Sequence, residues 1–158
     1  MKGYELQAIG VIKTDSDNFR IELDKKYAEG LEGLEGFSHA VVLWWFSLCD
    51  SESSRSTLTA EPPYKCAPGT LGVFATRSPE RPNPIALDVA QITYIDAENA
   101  VIGIGWTEAA DGSPVLDIKP YEPSLDRVES PEAPDWCAHW PRSLELSADF
   151  DWAAEMSE

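Results

Sequence analysis

The sequence predicts an all-β fold, a small barrel or closed sheet with long loops and an irregular C-terminal tail. Three observations lead there. Short β-branched and aromatic runs recur with turn residues between them. No segment keeps a 3.6-residue apolar period over a dozen positions, and 158 residues suffice for one hydrophobic core and little else. The expected layout is a single barrel domain over residues 1–142 and an acidic tail over 143–158.

Tyr4 to Lys13 alternates polar and apolar residues as a first strand. Phe19 to Asp24 alternates again after a polar turn, so the chain opens on a hairpin. Lys25 to Gly36 is charged and carries Gly30, Gly33 and Gly36, which allows at most a helical turn within a loop. Phe37 to Ser47 (FSHAVVLWWFS) is the best core strand, and its apolar run predicts burial on both faces. Cys49 to Pro68, rich in Ser, Thr, Glu and Pro, predicts a long surface loop or lid. Leu71 to Thr76, Ile85 to Ile95 and Ala100 to Trp106 follow as strands, the last two joined by a turn at Asp96 to Asn99. Val115 to Ile118 is a short strand after the Asp111-Gly112 turn. Beyond Lys119, prolines at 120, 123, 131, 134 and 141 predict a wrapping, irregular tail that ends in a solvated acidic stretch from Asp149 to Glu158. Trp136 to Trp140 (WCAHW) reads as a packing clasp for that tail, and Trp106 and Trp152 read as core.

Charge narrows the function classes. The chain carries 28 acidic and 12 basic residues, a net charge of −16, and that field repels phosphate backbones at long range. Nucleic-acid binding by bulk charge is excluded, so any such binding needs a local basic patch. The longest apolar run, Ala40 to Phe46, is far short of the roughly 18 residues of a membrane span. The opening residues, with Lys2 but no apolar stretch behind it, lack the pattern of a signal peptide, so a soluble cytoplasmic protein is expected. Three cysteines, Cys49, Cys66 and Cys137, stand at no regular spacing and suit a reducing compartment. Cys137 and His139 lack the paired knuckles of a zinc site, and no metal is expected.

Three stretches combine constraint with chemistry. In Gly72 to Ala86 (GVFATRSPERPNPIA), Arg77 and Arg81 sit four apart while Pro79, Pro82 and Pro84 stiffen the backbone around Asn83. A rigid loop with two guanidiniums suits a carboxylate or phosphate, and equally a proline-stiffened surface turn. In Asp111 to Tyr121 (DGSPVLDIKPY), alternation puts Asp117, Lys119 and Tyr121 on one face, an acid, a base and a phenol, or a structural ion pair at a barrel rim. In Gly36 to Phe46, His39 precedes the tryptophan strand, where a hydrogen-bonded core histidine is the simpler reading. No GxGxxG, Walker or GxSxG motif is present.

Read in order, EGLEGFSHAVVLWWF (Glu32 to Phe46), GVFATRSPERPNPIA and DGSPVLDIKPY resemble the signature blocks of the TsaA-like family of tRNA methyltransferases, over roughly residues 4 to 126. The resemblance implies a small β-barrel, a homodimer and S-adenosylmethionine as cofactor. By position it carries cofactor contacts onto Ser47, Leu48, Arg77, Leu87, Gly105, Trp106, Thr107 and Glu108. Arg81, Asn83 and Arg127 are expected on the substrate side, and Arg77, Arg81, Lys119 and Arg127 as a local basic rim for an anticodon loop. From their shared face, and not from the resemblance, Asp117 is the candidate proton acceptor, with Lys119 and Tyr121 orienting acceptor or cofactor.

The chain also departs from the pattern. Thr14-Asp15-Ser16-Asp17-Asn18-Phe19 replaces a longer PRQPG-like loop, Ser47-Leu48-Cys49 stands at a His-containing turn, and Ala86-Leu87-Asp88 stands where Gly-Leu-Ser is usual. Tyr121 to Asp126 likewise replaces YxPYAD. The leading expectation is methylation of N6 of the threonylcarbamoyl-modified adenosine at tRNA position 37. A small-metabolite methyltransferase and a cofactor-sensing module without transfer activity are the alternatives.

Overall fold

The structure, a computed structural model, describes residues 3–16 and 18–157; Met1, Lys2, Asp17 and Glu158 lie outside the described residues. Six strands close into a barrel in the order β1-β2-β7-β6-β3-β8, every pairing antiparallel. They are β1 (Gly10–Asp15), β2 (Asn18–Leu23), β3 (His39–Trp45), β6 (Ile85–Asp96), β7 (Val101–Ile104) and β8 (Pro114–Pro120). A separate two-stranded ribbon pairs β4 (Thr59–Ala60) with β5 (Leu71–Gly72).

Inward-facing side chains fill the barrel, with Ile12, Ile21, Val42, Trp44, Ile102 and Val115 each at or below 1% exposure. Closing the sheet on itself removes the unpaired edges that an open six-stranded sheet would leave. The opening hairpin needs a close approach at Gly10, where a Cβ would lie 2.8 Å from the Leu23 Cα. No side chain fits there.

Several expectations change. β1 starts at Gly10 instead of Tyr4, because residues 3–8 have no strand beside them and stay exposed. β3 is not buried on both faces: Ala40, Val42 and Trp44 point inward while His39, Val41, Leu43 and Trp45 are half-buried on the outside. The expected strand at Leu71 to Thr76 lasts two residues and becomes a 3₁₀ turn at Val73–Ala75, for a reason given below. β7 stops at Ile104 because Gly105 onward turns off the barrel, and β8 is longer than expected, with Pro114 and Pro120 at its ends where a missing N–H is tolerated. Trp106 is 64% exposed, not core.

The terminal stretch is not a free solvated tail. Helices α1 (Glu52–Arg55) and α2 (Pro123–Asp126) are single turns, and α3 (Leu144–Ala148) and α4 (Trp152–Glu155) follow near the end. α4 docks on the long loop: the Lys65 N–H donates to the Glu155 carbonyl at 2.9 Å, and Tyr64 forms a bridge with Met156. Trp140 packs edge-on against Trp152 with centroids 5.4 Å apart, so the WCAHW stretch does clasp the tail. Among the described residues no helix is long and apolar enough to cross a membrane.

Trp44 sits at the centre of the barrel, edge-on to Phe46 at 4.4 Å, and its indole N–H has no hydrogen-bond partner among the described residues. Trp44→Ala should therefore lower the unfolding free energy by ~3–5 kcal/mol. Trp44→Phe keeps a ring and removes the unpartnered donor, so its cost should stay below ~2 kcal/mol. Urea denaturation reads both, and equal losses would contradict this account of the core.

Candidate active site

The proline-rich loop between β5 and β6 is shaped by Arg81. Its Nε donates to the Ser78 carbonyl at 2.8 Å, and its Nη2 donates to the carbonyls of Val73 at 2.8 Å and Thr76 at 2.6 Å. These bonds satisfy carbonyls that would otherwise seek a strand partner, which is why the expected strand curls into a 3₁₀ turn. Arg81 is therefore a staple for the loop and does not share an anion clamp with Arg77. The staple leaves Arg77 on the open side, where its Nη1 donates to the Leu87 carbonyl at 3.1 Å.

Across from Arg77 lies the loop that leaves β7. Thr107 is 4% exposed; its hydroxyl donates to Asp88 Oδ2 at 2.6 Å and accepts from the Ala109 N–H at 3.1 Å. Gly105 is tied to the Gln91 carbonyl at 2.9 Å. The next residue after Thr107, Glu108, is thereby set on the same cavity as Arg77. Partial burial, reinforced by the neighbouring Asp88 charge, pushes the Glu108 carboxyl above the usual glutamate range, and Arg77 offsets part of that rise.

The cavity measures about 850 Å³ and is lined by Tyr64, Phe74, Arg77, Glu108, Trp136 and Trp140, together with Pro62, Pro63 and Pro79 at its margins. The lining combines charge, at Glu61, Arg77 and Glu108, with aromatic rings. The aromatic part is ordered: Tyr64 and Trp140 rings lie 4.7 Å apart, Trp136 and Trp140 5.2 Å apart, and Tyr64 and Trp136 stack at 6.3 Å.

Of the residues singled out in the sequence, Arg77 and Glu108 line this cavity, while Leu87 and Thr107 touch it through the bonds just described. Trp106 stands exposed on the same loop. Ser47 and Leu48 form an exposed turn after β3, tied to the Arg77 loop where the Phe46 N–H meets the Pro84 carbonyl at 2.9 Å. Asn83 and Arg127 are exposed, Asn83 beside the staple and Arg127 after α2.

Asp117, Lys119 and Tyr121 do not line the cavity that holds Arg77. Asp117 lines a different cavity of about 680 Å³, with Lys26, Tyr27, Leu31 and Phe37, and Lys119 Nζ lies 2.6 Å from Asp117 Oδ2 in an exposed ion pair. Tyr121 is edge-on to His39 at 6.4 Å. The sequence reading missed Asp88, Tyr64 and Phe74 as site residues and took Trp136 and Trp140 for packing alone. Asp88 carried a signal, since it was one of the departures from the expected pattern.

A closed β-barrel with a charged and aromatic cavity between its loops has the chemistry to take a small ligand bearing both charge and flat rings. The chain belongs to the tRNA-methyltransferase O family, whose N-terminal domain model matches residues 9–127. It is 38% identical over 141 residues to an S-adenosyl-L-methionine-binding protein of Archaeoglobus fulgidus, covering 80% of this chain and 96% of that one. It is 30% identical over 143 residues to the tRNA (adenine(37)-N6)-methyltransferase of Escherichia coli, covering 89% of this chain and 59% of that enzyme. The crystal structure of TrmO from P. aeruginosa superimposes with a TM-score of 0.66 at 26% identity, covering 85% of this chain and 62% of that one. The chain thus spans about three fifths of the length of these two larger relatives.

The raised Glu108 carboxyl has a thermodynamic consequence. The folded protein holds that proton more tightly than the unfolded chain, so the contribution to stability is present below the ordinary glutamate range and is lost as pH rises through the raised value. Glu108→Gln should therefore raise the Tm at pH 7, with the gain closing near pH ~4 where glutamate is protonated in either state. Thermal melts across that range check it, and a pH-independent difference would contradict it.

Proposed function

We propose that this chain transfers the methyl group of S-adenosylmethionine to N6 of adenosine 37 in tRNA, the threonylcarbamoyl-modified form being the expected acceptor. The observation that carries the reading is the sharing of one cavity by Arg77, Glu108 and a set of aromatic rings. The cofactor bears a carboxylate, an ammonium and a sulfonium. Arg77 matches the first with paired charge-assisted hydrogen bonds, and Glu108 with Asp88 behind it matches the two cations. The aromatic faces that complete the cavity suit a flat ring.

The transfer asks for little covalent help. Held at Arg77 and Glu108, the cofactor would supply an electrophilic methyl group to N6, the carbon–sulfur bonding pair going to sulfur and the N6 proton to solvent. The chain contributes alignment and exclusion of water. Cofactor binding is supported by the relatives' names, one an S-adenosyl-L-methionine-binding protein and one a tRNA (adenine(37)-N6)-methyltransferase. A cytoplasmic location fits such an activity. A homodimer is supported by the outer face of β6, β3 and β8, where Leu43 stands between Leu87 and Asp117 and Leu87 is 39% exposed.

One observation favours a small-molecule acceptor as the second reading. Of the expected basic rim, Arg81 is consumed by backbone carbonyls and Lys119 is paired with Asp117, in a chain of net charge −16. With Arg77 given to the cofactor, Arg127 is the one cation of that expected rim left for a tRNA phosphate. With Z about 1, the slope of log K against log salt should be only about −0.7 to −0.9. A slope near zero would point to the small acceptor.

The direct test incubates the protein with methyl-labelled S-adenosylmethionine and tRNA at low salt, followed by digestion and mass spectrometry. Label at adenosine 37 is expected, and binding without label in tRNA would move the reading to the small acceptor. Arg77→Ala should weaken cofactor binding by ~10- to 150-fold, from the loss of a charge-assisted pair. An unchanged Kd by calorimetry would remove Arg77 from the site.

A further inference from the structure

The family model ends at residue 127, yet two rings of the Arg77 cavity come from beyond it. Trp136 and Trp140 belong to a segment that loops back over the barrel and is held by its own network. Glu155 accepts from Trp140 Nε1 at 3.3 Å and lies 3.0 Å from His139 Nε2, while the Lys65 Nζ donates to the Ala154 carbonyl at 2.8 Å. The Ser157 N–H donates to the Pro63 carbonyl at 3.0 Å, which draws the segment onto Pro63 and Tyr64, themselves cavity residues.

The indoles of Trp136 and Trp140 meet at 87°, so they form a corner with one face and one edge, backed by the Tyr64 ring. Trp136 keeps part of its surface open, as does Tyr64. A corner of that shape holds a flat ring against the face and limits its sliding at the edge. Arg77 and Glu108 suit the amino-acid and sulfonium end of the cofactor, and the aromatic corner, with Glu61 also in the lining, suits a second flat ring.

We propose that Trp136 and Trp140, with Tyr64, form the acceptor subsite: the purine ring whose N6 is methylated stacks on Trp136 in the corner that the terminal segment builds beside Arg77 and Glu108. The inference rests on the methyltransferase reading above. It makes the segment after residue 127 a specificity element of this chain, added to the part that carries the shared family pattern. Glu155, which fixes Trp140 and His139 together, is a positioning residue for the corner.

The test uses the full chain with Trp136→Ala, Trp136→Phe and, for the strap, Glu155→Gln. The readouts are the Kd for S-adenosylmethionine by calorimetry, the KM for tRNA, and indole fluorescence quenching by the modified adenosine nucleoside with S-adenosylhomocysteine present. Loss of base stacking predicts a rise in acceptor KM of ~5- to 150-fold for Trp136→Ala, with the cofactor Kd within about twofold of wild type. Trp136→Phe should recover most of that loss, and Glu155→Gln should raise KM without changing the cofactor Kd. The nucleoside should quench wild-type fluorescence and quench Trp136→Phe much less, a reading that survives even where the alanine variant fails to fold. An unchanged KM in Trp136→Ala, or a cofactor Kd that weakens in parallel with KM, overturns the acceptor subsite while leaving the methyltransferase reading intact. A wild-type protein that binds no S-adenosylmethionine overturns both.

Discussion

The guanidinium of Arg81 is the constraint on which the site depends. A loop with three prolines has few backbone donors of its own, and its carbonyls at Val73, Thr76 and Ser78 turn inward. One planar side chain meets all three. A lysine, with its compact ammonium, could not span those carbonyls in the same fixed fork. From this staple follow the curl of the expected strand, the outward presentation of Arg77, and the position of Pro84, to which the end of β3 is tied through Phe46.

Opposite the staple a second polar contact does equivalent work. Thr107, nearly fully buried, is bonded to Asp88 on β6 and to the backbone of Ala109, so the loop leaving β7 has a defined course. The result places a carboxyl beside another carboxyl, with an arginine nearby to offset part of the repulsion. Such an arrangement is costly without a ligand and suits one that carries positive charge. The strongly acidic composition then acts in two ways: locally it suits a cationic cofactor, and globally it limits how many phosphates the protein can engage.

Much of the barrel was legible in the sequence. β2 and β6 follow their alternating patterns closely, and the turn at Asp96 to Asn99 is closed by the Asp96 side chain on Asn99, as an acid at that position suggests. Less legible were features set by partners distant in sequence. Leu71 to Thr76 looks like a strand because nothing in it shows that Arg81 will take its carbonyls. Asp117, Lys119 and Tyr121 do alternate, but alternation reports a face of one strand and not which cavity that face borders. The terminal aromatics read as packing because their neighbours, Tyr64 and Arg77, lie some 59 to 76 residues away in the chain. Asp88 was visible only as a departure, and its meaning needed Thr107 and Glu108 beside it.

The central claim is that ligand chemistry happens in the cavity between Arg77, Glu108 and the terminal segment, and not in the one beside Asp117. The most direct measurement is an NMR titration of the 15N-labelled protein with S-adenosylhomocysteine, following backbone amides and the six tryptophan indole N–H signals. The account predicts shifts at Arg77 and Glu108, with Tyr27, Leu31 and Phe37 unmoved. Shifts confined to Tyr27, Leu31, Phe37 and Asp117 would contradict it and relocate the site to the other cavity.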